Sequence, residues 1–339
     1  MTDSTVVVRV PATSANLGPG FDTLGLALAL YDEVEATLHD PGPDGPSAEV
    51  SVEGEGAGEV DLGEGHLIVA TMRRTFDRMG LPSPRGIRLR CVNRIPHARG
   101  LGSSSAAICA GILAARALAA GPYPAVPGTG GGSGTDARRR PDGPVPGAAG
   151  KTREFTDDDV FALATEIEGH PDNVAPCLAG GLTISWTEPD GVPRMAKLLP
   201  HADVRPVVLV PSFRLSTEVA RGLLPATVPH ADAAVNAGRA ALLVAALTGR
   251  PERELLLAGT ADRLHQDYRA PAMPRTAELV RRLRGIGIPA IVSGAGPTVL
   301  AFSTGDTQDL IAPEVGNDWH IRPLDVETRG ACVVSPETR

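Results

Sequence analysis

The segment at residues 93–107, NRIPHARGLGSSSAA, constrains this chain most. A short apolar strand leads into two glycines and three serines, and an alanine-rich helix follows. Gly100 and Gly102 allow a tight backbone turn because they have no Cβ. The serines and the free N–H groups of the helix start can then face outward, at the positive end of the helix dipole. The segment predicts an anion-binding loop, although a serine loop that only caps a helix has the same pattern.

Two further glycine-containing segments lie far from this loop in the sequence. The first is PATSANLGPGFDTLG at residues 11–25, in which Asn16 and Asp22 flank a turn that Gly18 and Gly20 impose. The second is VSGAGPTVLAF at residues 292–302. Each segment by itself is a weak signal, so their order along the chain carries the information.

The organisation of the chain favours an α+β fold in two domains, residues 1–190 and 200–339. Strands and helices alternate at uneven spacing, unlike a regular parallel α/β sheet. Residues 121–150 are rich in Gly, Pro, Ser and Arg, and are expected to be a disordered surface insertion. The predicted strands are 6–10, 31–39, 87–92, 182–186, 207–210, 290–293 and 299–302. The predicted helices are 67–79, 106–120, 217–224, 233–247, 255–267 and 275–284, with one more beginning after Thr156.

Composition and charge argue against several classes of function. A formal net charge of −8 disfavours a general nucleic-acid-binding protein. No run approaches the roughly 18 apolar residues of a membrane-spanning helix, and the N-terminus lacks the basic and apolar regions of a signal peptide. The four cysteines are scattered, with neither metal-site spacing nor disulfide density. These features predict a soluble protein of the reducing cytoplasm.

Together, the three glycine-containing segments resemble the signature motifs of the GHMP small-molecule kinases. Within that family the homoserine kinases are most similar, because of SANLGPGFDTLG, EGHPDNVAPCLAGG at 168–181, STEVAR at 216–221 and HQDYRAP at 265–271. The resemblance covers nearly the whole chain except 121–150. It implies an N-terminal ATP-binding domain with a left-handed βαβ crossover, a C-terminal ferredoxin-like domain and a possible homodimer.

The resemblance also implies ATP and Mg²⁺ as cofactors. Ser104 and Glu168 match the positions that supply hard oxygen ligands to the metal. His66 stands where relatives usually have an asparagine that holds adenine, and an imidazole can also hydrogen-bond or stack on the base. The loop residues expected to contact ATP are Pro96, His97, Ala98, Arg99, Gly100, Leu101, Gly102, Ser103, Ser104, Ser105 and Ala106.

The acceptor that the resemblance implies is L-homoserine, a small zwitterion that would become O-phospho-L-homoserine for threonine synthesis. Arg221 and Arg269 match the two arginines that bind its carboxylate, which arginine can do bidentately. Asp22 is the natural counter-charge for the ammonium group. The substrate-binding residues are expected to be Asn16, Asp22, His170, Asn173, Arg221 and Arg269.

The candidate catalytic residues are Thr217, Asp172 and Arg221. Thr217 and Arg221 are four residues apart and share one helix face, which places the Thr217 hydroxyl near the γ-phosphate. Asp172 is the only carboxylate considered as a general base, and no residue stands out as a strong one. Two alternatives remain at this stage: a GHMP kinase for another small alcohol, and a catalytically silent ligand-binding relative.

Overall fold

The computed structural model describes residues 4–120, 154–303 and 308–334. The predicted insertion at 121–150 lies outside these described residues. The strands are β1 Ser4–Ala15, β2 Leu24–His39, β3 Ala48–Gly54, β4 Gly86–Asn93, β5 Leu182–Thr187, β6 Pro193–Leu198, β7 Arg205–Pro211, β8 Ala290–Val292, β9 Val299–Ser303, β10 Trp319–Pro323 and β11 Cys332–Val334. The helices are α1 Leu67–Arg78, α2 Ser103–Ala119, α3 Asp157–Glu168, α4 Pro171–Ala179, α5 Thr217–Gly222, α6 His230–Thr248, α7 Arg253–Gly259, α8 Gln266–Arg269, α9 Pro274–Gly285 and α10 Gln308–Ile311.

The first two strands are longer than the sequence predicts. The predicted strand at 6–10 ends at Pro11, but β1 continues to Ala15. Its register against β2 shifts between Pro11 and Ala12, and this irregularity accommodates the proline, which has no N–H to donate. The continuation carries the buried side chains of Thr13 and Ser14 toward the glycine-containing loop.

The first sheet has the strand order β11-β1-β2-β4-β3, and β5 pairs with β2 and β6. Strands β3 and β4 are parallel, and α1 forms the connection between them. This is the βαβ crossover that the family resemblance implies. Helix α2 is buried along most of its length, because its many alanines and Gly111 let neighbouring elements approach closely.

The second sheet has the order β10-β7-β9-β8, and its pairings are antiparallel. Numbered within the second domain, this is the order 4-1-3-2 of a ferredoxin-like fold. The expected α+β class and two-domain architecture are therefore confirmed.

The boundary between the two sheets differs from the predicted division at 190–200. Strand β6, at Pro193–Leu198, pairs with β5 and so belongs to the first sheet. The C-terminal strand β11 returns to pair with β1. Proline and glycine between 189 and 200 therefore mark a hairpin and not a linker between domains.

Helix α6 is the one helix among the described residues that passes a membrane-span test based on length and composition alone. Alanines account for most of its apolar character, and it also carries Asp232, Asn236 and Arg239. The buried Asn236 side chain donates to the Pro19 carbonyl and accepts from the Arg263 N–H. These contacts fasten α6 to the loop that follows β1.

The two domains meet where the loop at 93–107 contacts the segment 292–298. The hydroxyl of Ser293 lies 2.6 Å from the Gly100 carbonyl oxygen, and the Thr298 N–H donates to the Arg99 carbonyl. Gly100 has a φ of +73°, and a Cβ there would lie 2.2 Å from the Ser293 carbonyl oxygen. Only glycine satisfies both the backbone conformation and this close approach.

We expect Gly100→Ala to destabilise the protein by about 2 kcal/mol or more, because the left-handed backbone and the interdomain contact would both be strained. Thermal and urea unfolding would measure this. The matched control is Gly238→Ala in α6, where a Cβ meets nothing within 4 Å. Alanine there should leave the free energy of unfolding unchanged or raise it by up to about 1 kcal/mol. Equal unfolding free energies for the two variants would contradict this reading of the domain junction.

Candidate functional site

The phosphate loop, residues 96–107, places the N-terminus of α2 in the cleft between the domains. The helix begins at Ser103, three residues earlier than the predicted 106–120. Its N-cap is Gly102, with φ +72° and no side-chain cap, so the first N–H groups of the helix are available to an anion. A Cβ on Gly102 would lie 1.9 Å from Thr13 Oγ1, so this position also requires glycine.

Glu168, the last residue of α3, faces this helix start. Its two carboxylate oxygens accept hydrogen bonds from Ser104 Oγ at 2.7 Å and Ser105 Oγ at 2.8 Å. The two residues predicted as metal ligands, Ser104 and Glu168, are therefore in direct contact. No group of three or more His, Cys, Asp or Glu side chains that could hold a metal occurs in the described residues. A hydroxyl and one carboxylate suit Mg²⁺, which keeps waters and phosphate oxygens as its other ligands.

A cavity of about 380 Å³ opens beside the loop and contains most of the predicted acceptor residues. We call it the acceptor cavity. Residues from both domains contribute to its wall, including Gly294 and Ala295 of the segment 292–298. The predicted substrate and catalytic residues that line it are Asn16, His170, Asp172, Asn173, Thr217, Arg221 and Arg269.

Asp22 and Arg221 form an ion pair between the domains. The Arg221 Nη2 lies 2.9 Å from Asp22 Oδ1, and Nη1 lies 3.3 Å from Oδ2. Asn16 positions Asp22, because its Oδ1 accepts from the Asp22 N–H, while its Nδ2 donates to the Gly294 carbonyl. The two side chains predicted to bind opposite ends of the zwitterion are paired with each other.

Arg269 is the largest fully buried side chain, with 1% exposure. Its Nη1 lies 3.2 Å from His265 Nδ1 and 3.4 Å from the Gly294 carbonyl, and its Nε has no hydrogen-bond partner among the described residues. Burial, together with the charge of Arg221, lowers the pKa of Arg269. A guanidinium without a bonded carboxylate in such surroundings is costly unless an anion binds beside it.

His170 and Asp172 form a close pair at the opening of α4. His170 Nδ1 lies 2.6 Å from Asp172 Oδ1, and Asp172 is almost completely buried. Burial lowers the pKa of His170, but the hydrogen bond and charge of Asp172 outweigh it, so the pKa is raised overall. The neighbouring Asn173 accepts from Thr13 Oγ1 at 2.8 Å, which fixes its amide at the cavity wall.

Thr217 begins helix α5, and Ser216 is the N-cap whose hydroxyl accepts from the Val219 N–H. Both Thr217 and Arg221 line the acceptor cavity, as their spacing predicts.

The chain contains two lysines. The side chain of Lys197 donates to the Thr328 carbonyl, and Lys151 lies outside the described residues.

A second cavity, of about 370 Å³, lies on the other side of the phosphate loop. Ser103 and Ser104 line both cavities, so the start of α2 forms part of the wall of each. His66 is buried at the wall of this second cavity and caps α1, because its Nδ1 accepts from the Ile68 N–H. Burial lowers the pKa of His66, which favours its neutral form.

The structure also shows what surrounds His97 and Arg99, two other residues of the phosphate loop. His97 lines the second cavity, and burial lowers its pKa. The guanidinium of Arg99 donates to the carbonyls of His97, Pro211 and Ser212. That leaves the backbone of Arg99, and not its side chain, for the predicted ATP contact.

Several residues that line these cavities, or that contact residues lining them, were not singled out from the sequence. Thr13 and Gly294 lie inside the first and third glycine-containing segments, and His265 lies inside HQDYRAP, so the motifs carried a signal for them. No sequence signal pointed to Asp32. It is a buried carboxylate in the middle of β2, at the wall of the second cavity. Its Oδ1 accepts from the N–H groups of Arg94 and Ile95.

Comparisons with known proteins find relatives of similar sequence and similar fold. The family model for the GHMP kinases N terminal domain matches residues 66–126, and that for the GHMP kinases C terminal region matches 242–321. A homoserine kinase from Streptomyces coelicolor is 52% identical over 97% of this chain and 94% of that protein. One from Clavibacter michiganensis is 50% identical over 97% of this chain and 93% of its own length. The crystal structure of a homoserine kinase from Cytophaga hutchinsonii superposes with a TM-score of 0.73 at 23% identity, covering 98% of each chain.

Asp32 generates a prediction about stability. Burial raises its pKa to about 6, against the opposing backbone hydrogen bonds. The folded protein therefore holds this proton more tightly than the unfolded chain. The protonated carboxyl stabilises the fold relative to the ionised one, and this stabilisation is lost as the pH rises from about 4 to about 6. Because one pKa unit corresponds to about 1.4 kcal/mol, the charge costs up to about 3 kcal/mol at neutral pH.

We expect Asp32→Asn to gain stability relative to wild type as the pH rises from about 4.5 to 8, by about 2 kcal/mol, because the rest of the effect falls below pH 4.5. Urea unfolding at the two pH values would measure the difference. Asp44→Asn, at an exposed position, is the control. A difference between Asp32→Asn and wild type that does not change with pH would contradict the assignment.

Proposed function

The chain belongs to the GHMP kinase family, and we infer that it is a homoserine kinase. It transfers the γ-phosphoryl group of ATP to the hydroxyl of L-homoserine, giving O-phospho-L-homoserine for threonine biosynthesis. Relatives that bear this name are about 50% identical over nearly the full length. The remaining details, which concern the roles of single residues and the metal, are proposals argued from the contacts of the site.

The observation that carries the choice of acceptor is the buried guanidinium of Arg269. It lines the acceptor cavity with an unpartnered Nε. A substrate carboxylate supplies the missing acceptor oxygens and the missing negative charge. The role proposed for Arg269 is to bind the carboxylate of homoserine.

The ion pair of Asp22 and Arg221 suits the rest of the zwitterion. A substrate with one carboxylate and one ammonium group can interact with both side chains and leave neither charge without a partner. Asp22 would bind the ammonium group, and Arg221 would bind the carboxylate together with Arg269. An acceptor with a carboxylate and no ammonium, such as mevalonate, would draw Arg221 away from Asp22 and offer Asp22 nothing in return. This asymmetry favours homoserine over other small alcohols.

The proposed position of ATP follows from the two cavities that share Ser103 and Ser104 as lining residues. The phosphates would lie on the phosphate loop, at the N-terminus of α2. The base would occupy the second cavity beside His66. The γ-phosphate would then point into the acceptor cavity, which is the geometry that phosphoryl transfer requires. A silent ligand-binding relative would have no need for this alignment.

Glu168 and Ser104 are the residues proposed to hold Mg²⁺. A bound magnesium ion would neutralise charge on the phosphate oxygens of ATP. In the structure the hydroxyls of Ser104 and Ser105 both donate to the Glu168 carboxylate. The hydroxyl of Ser105 can keep Glu168 oriented while Ser104 turns toward the metal.

Catalysis is proposed to rest on orientation and charge stabilisation and not on a strong general base. Thr217 donates its hydroxyl to the γ-phosphate, while Asn16, His170 and Asn173 shape the pocket around the acceptor. Asp172 already has one oxygen bound by His170, and it is proposed to hold that imidazole in place and not to remove the hydroxyl proton.

A reducing, cytoplasmic location is proposed, since Cys91, Cys109, Cys177 and Cys332 are all free thiols. A homodimer remains an expectation from the family resemblance. The proposed interactions are with the two small-molecule substrates and involve neither nucleic acid nor a membrane.

The test of function is coupled release of ADP by the purified protein with L-homoserine, mevalonate and galactose. Turnover is expected only with L-homoserine, with O-phosphohomoserine identified by phosphorus NMR. Preference for another alcohol would replace the proposed acceptor. Tight ATP binding without turnover on any alcohol would support the silent alternative.

We expect Asp172→Asn to lower kcat by less than about 100-fold between pH 6 and 9, because the carboxylate positions His170 and does not act as a base. Glu188→Gln, whose side chain is bound to Trp186 on the surface, serves as the control. A fall of several orders of magnitude for Asp172→Asn, with the fold intact by circular dichroism, would instead identify Asp172 as the general base.

A further inference from the structure

His265 lies completely buried behind the acceptor cavity, with a partner on each ring nitrogen. Its Nε2 is 2.8 Å from the carbonyl oxygen of Gly18, and its Nδ1 is 3.2 Å from Arg269 Nη1. A carbonyl oxygen can only accept and a guanidinium can only donate. The ring is therefore a neutral tautomer with its proton on Nε2 and its lone pair on Nδ1 directed at Arg269.

Neighbouring groups hold both the backbone and the ring of His265. Asp262 accepts from the N–H groups of Leu264, His265 and Gln266, which fixes the backbone. The ring stacks on Phe21, with 5.2 Å between the centroids. Burial, and then the charge of Arg269, lower the pKa of His265 in spite of the nearby Asp262 carboxylate, which agrees with the neutral tautomer.

Arg269 depends on this histidine for its orientation. The acceptors that it has in the structure are His265 Nδ1 and, at the longer distance of 3.4 Å, the Gly294 carbonyl. The face of Phe21 lies 5.4 Å from the guanidinium carbon. None of these bonded groups is anionic, and the carboxylates of Asp22, Asp172 and Asp262 act on Arg269 only through space, so its guanidinium has no bonded counter-charge.

We propose that His265 is a positioning residue that connects the Gly18 loop to Arg269 and thereby sets the affinity for the carboxylate of the acceptor. The proposal rests on the function inferred above. A carboxylate group at this position would pair with the guanidinium and compete with the substrate. A neutral imidazole acceptor orients the guanidinium and leaves its charge unpaired.

Three substitutions separate the two contacts of the ring. In His265→Asn the amide oxygen can replace Nδ1 and accept from Arg269, whereas in His265→Gln the amide NH₂ can replace Nε2 and donate to Gly18. His265→Phe keeps the ring and loses both contacts. We expect the KM for L-homoserine to rise about 10- to 100-fold in the Gln and Phe variants and less than about 5-fold in the Asn variant.

The same variants should keep kcat and the KM for ATP within about threefold of wild type, because the phosphate loop and Thr217 are untouched. The inhibition constant of L-2-aminobutyrate, which has the carboxylate and ammonium groups but no hydroxyl, should rise by the same factor as the homoserine KM. This measures binding apart from the chemical step. His320→Asn and His320→Gln, on the exposed face of β10, are the matched controls.

Equal homoserine KM values for the Asn and Gln variants, or a parallel rise in the KM for ATP, would overturn the proposal. So would wild-type KM values in the Gln and Phe variants. Thermal unfolding of each variant shows whether the fold is retained, and the Asn and Gln pair preserves the test if the Phe variant does not fold. A wild-type protein that gives no turnover with homoserine would overturn the proposed function instead.

Discussion

The contact between the phosphate loop and the segment 292–298 is the constraint on which the rest of the site depends. Gly100 and Ser293 meet there without room for a Cβ, and the Gly294 N–H donates to the carbonyl of Ala15, the last residue of β1. Asn16 then returns a hydrogen bond to the Gly294 carbonyl. All three glycine-containing segments are thus tied together at one point. The phosphate loop and the side chains of the acceptor cavity cannot move independently of this point.

Each charged side chain around that junction is bound either by a neutral group or by a side chain of opposite charge. Glu168 is bound by serine hydroxyls, Asp22 and Arg221 are bound to each other, and Arg269 is bound by neutral acceptors. Charged groups held this way stay oriented and can exchange partners when a ligand of matching charge arrives. The pattern suits a zwitterion and a polyphosphate entering from opposite sides.

Much of the fold and of the candidate site could be predicted from the sequence. Where a prediction was wrong or a residue was missed, the reason is physical. The helix after Thr156 was predictable because its capping box is local, and the structure contains it. The continuation of β1 past Pro11 was not, because a register shift depends on the partner strand. Strand β6 was taken for a linker because prolines and glycines suit a hairpin as well as a domain boundary. Asp32 was missed because a single acidic residue in a strand usually faces solvent.

The sequence by itself determined the family and the glycine turn and helix start at residues 96–107, because such turns and helix starts are encoded by neighbouring residues. The anion-binding role of this loop and the substrate-binding role of the two arginines are predictions that came with it. Only the tertiary structure decided what each charged side chain contacts. Asp22 and Arg221 are 199 positions apart, and so their pairing is a property of domain packing. The connection from Gly18 through His265 to Arg269 also depends on domain packing, because the local sequence does not determine the orientation of a buried imidazole.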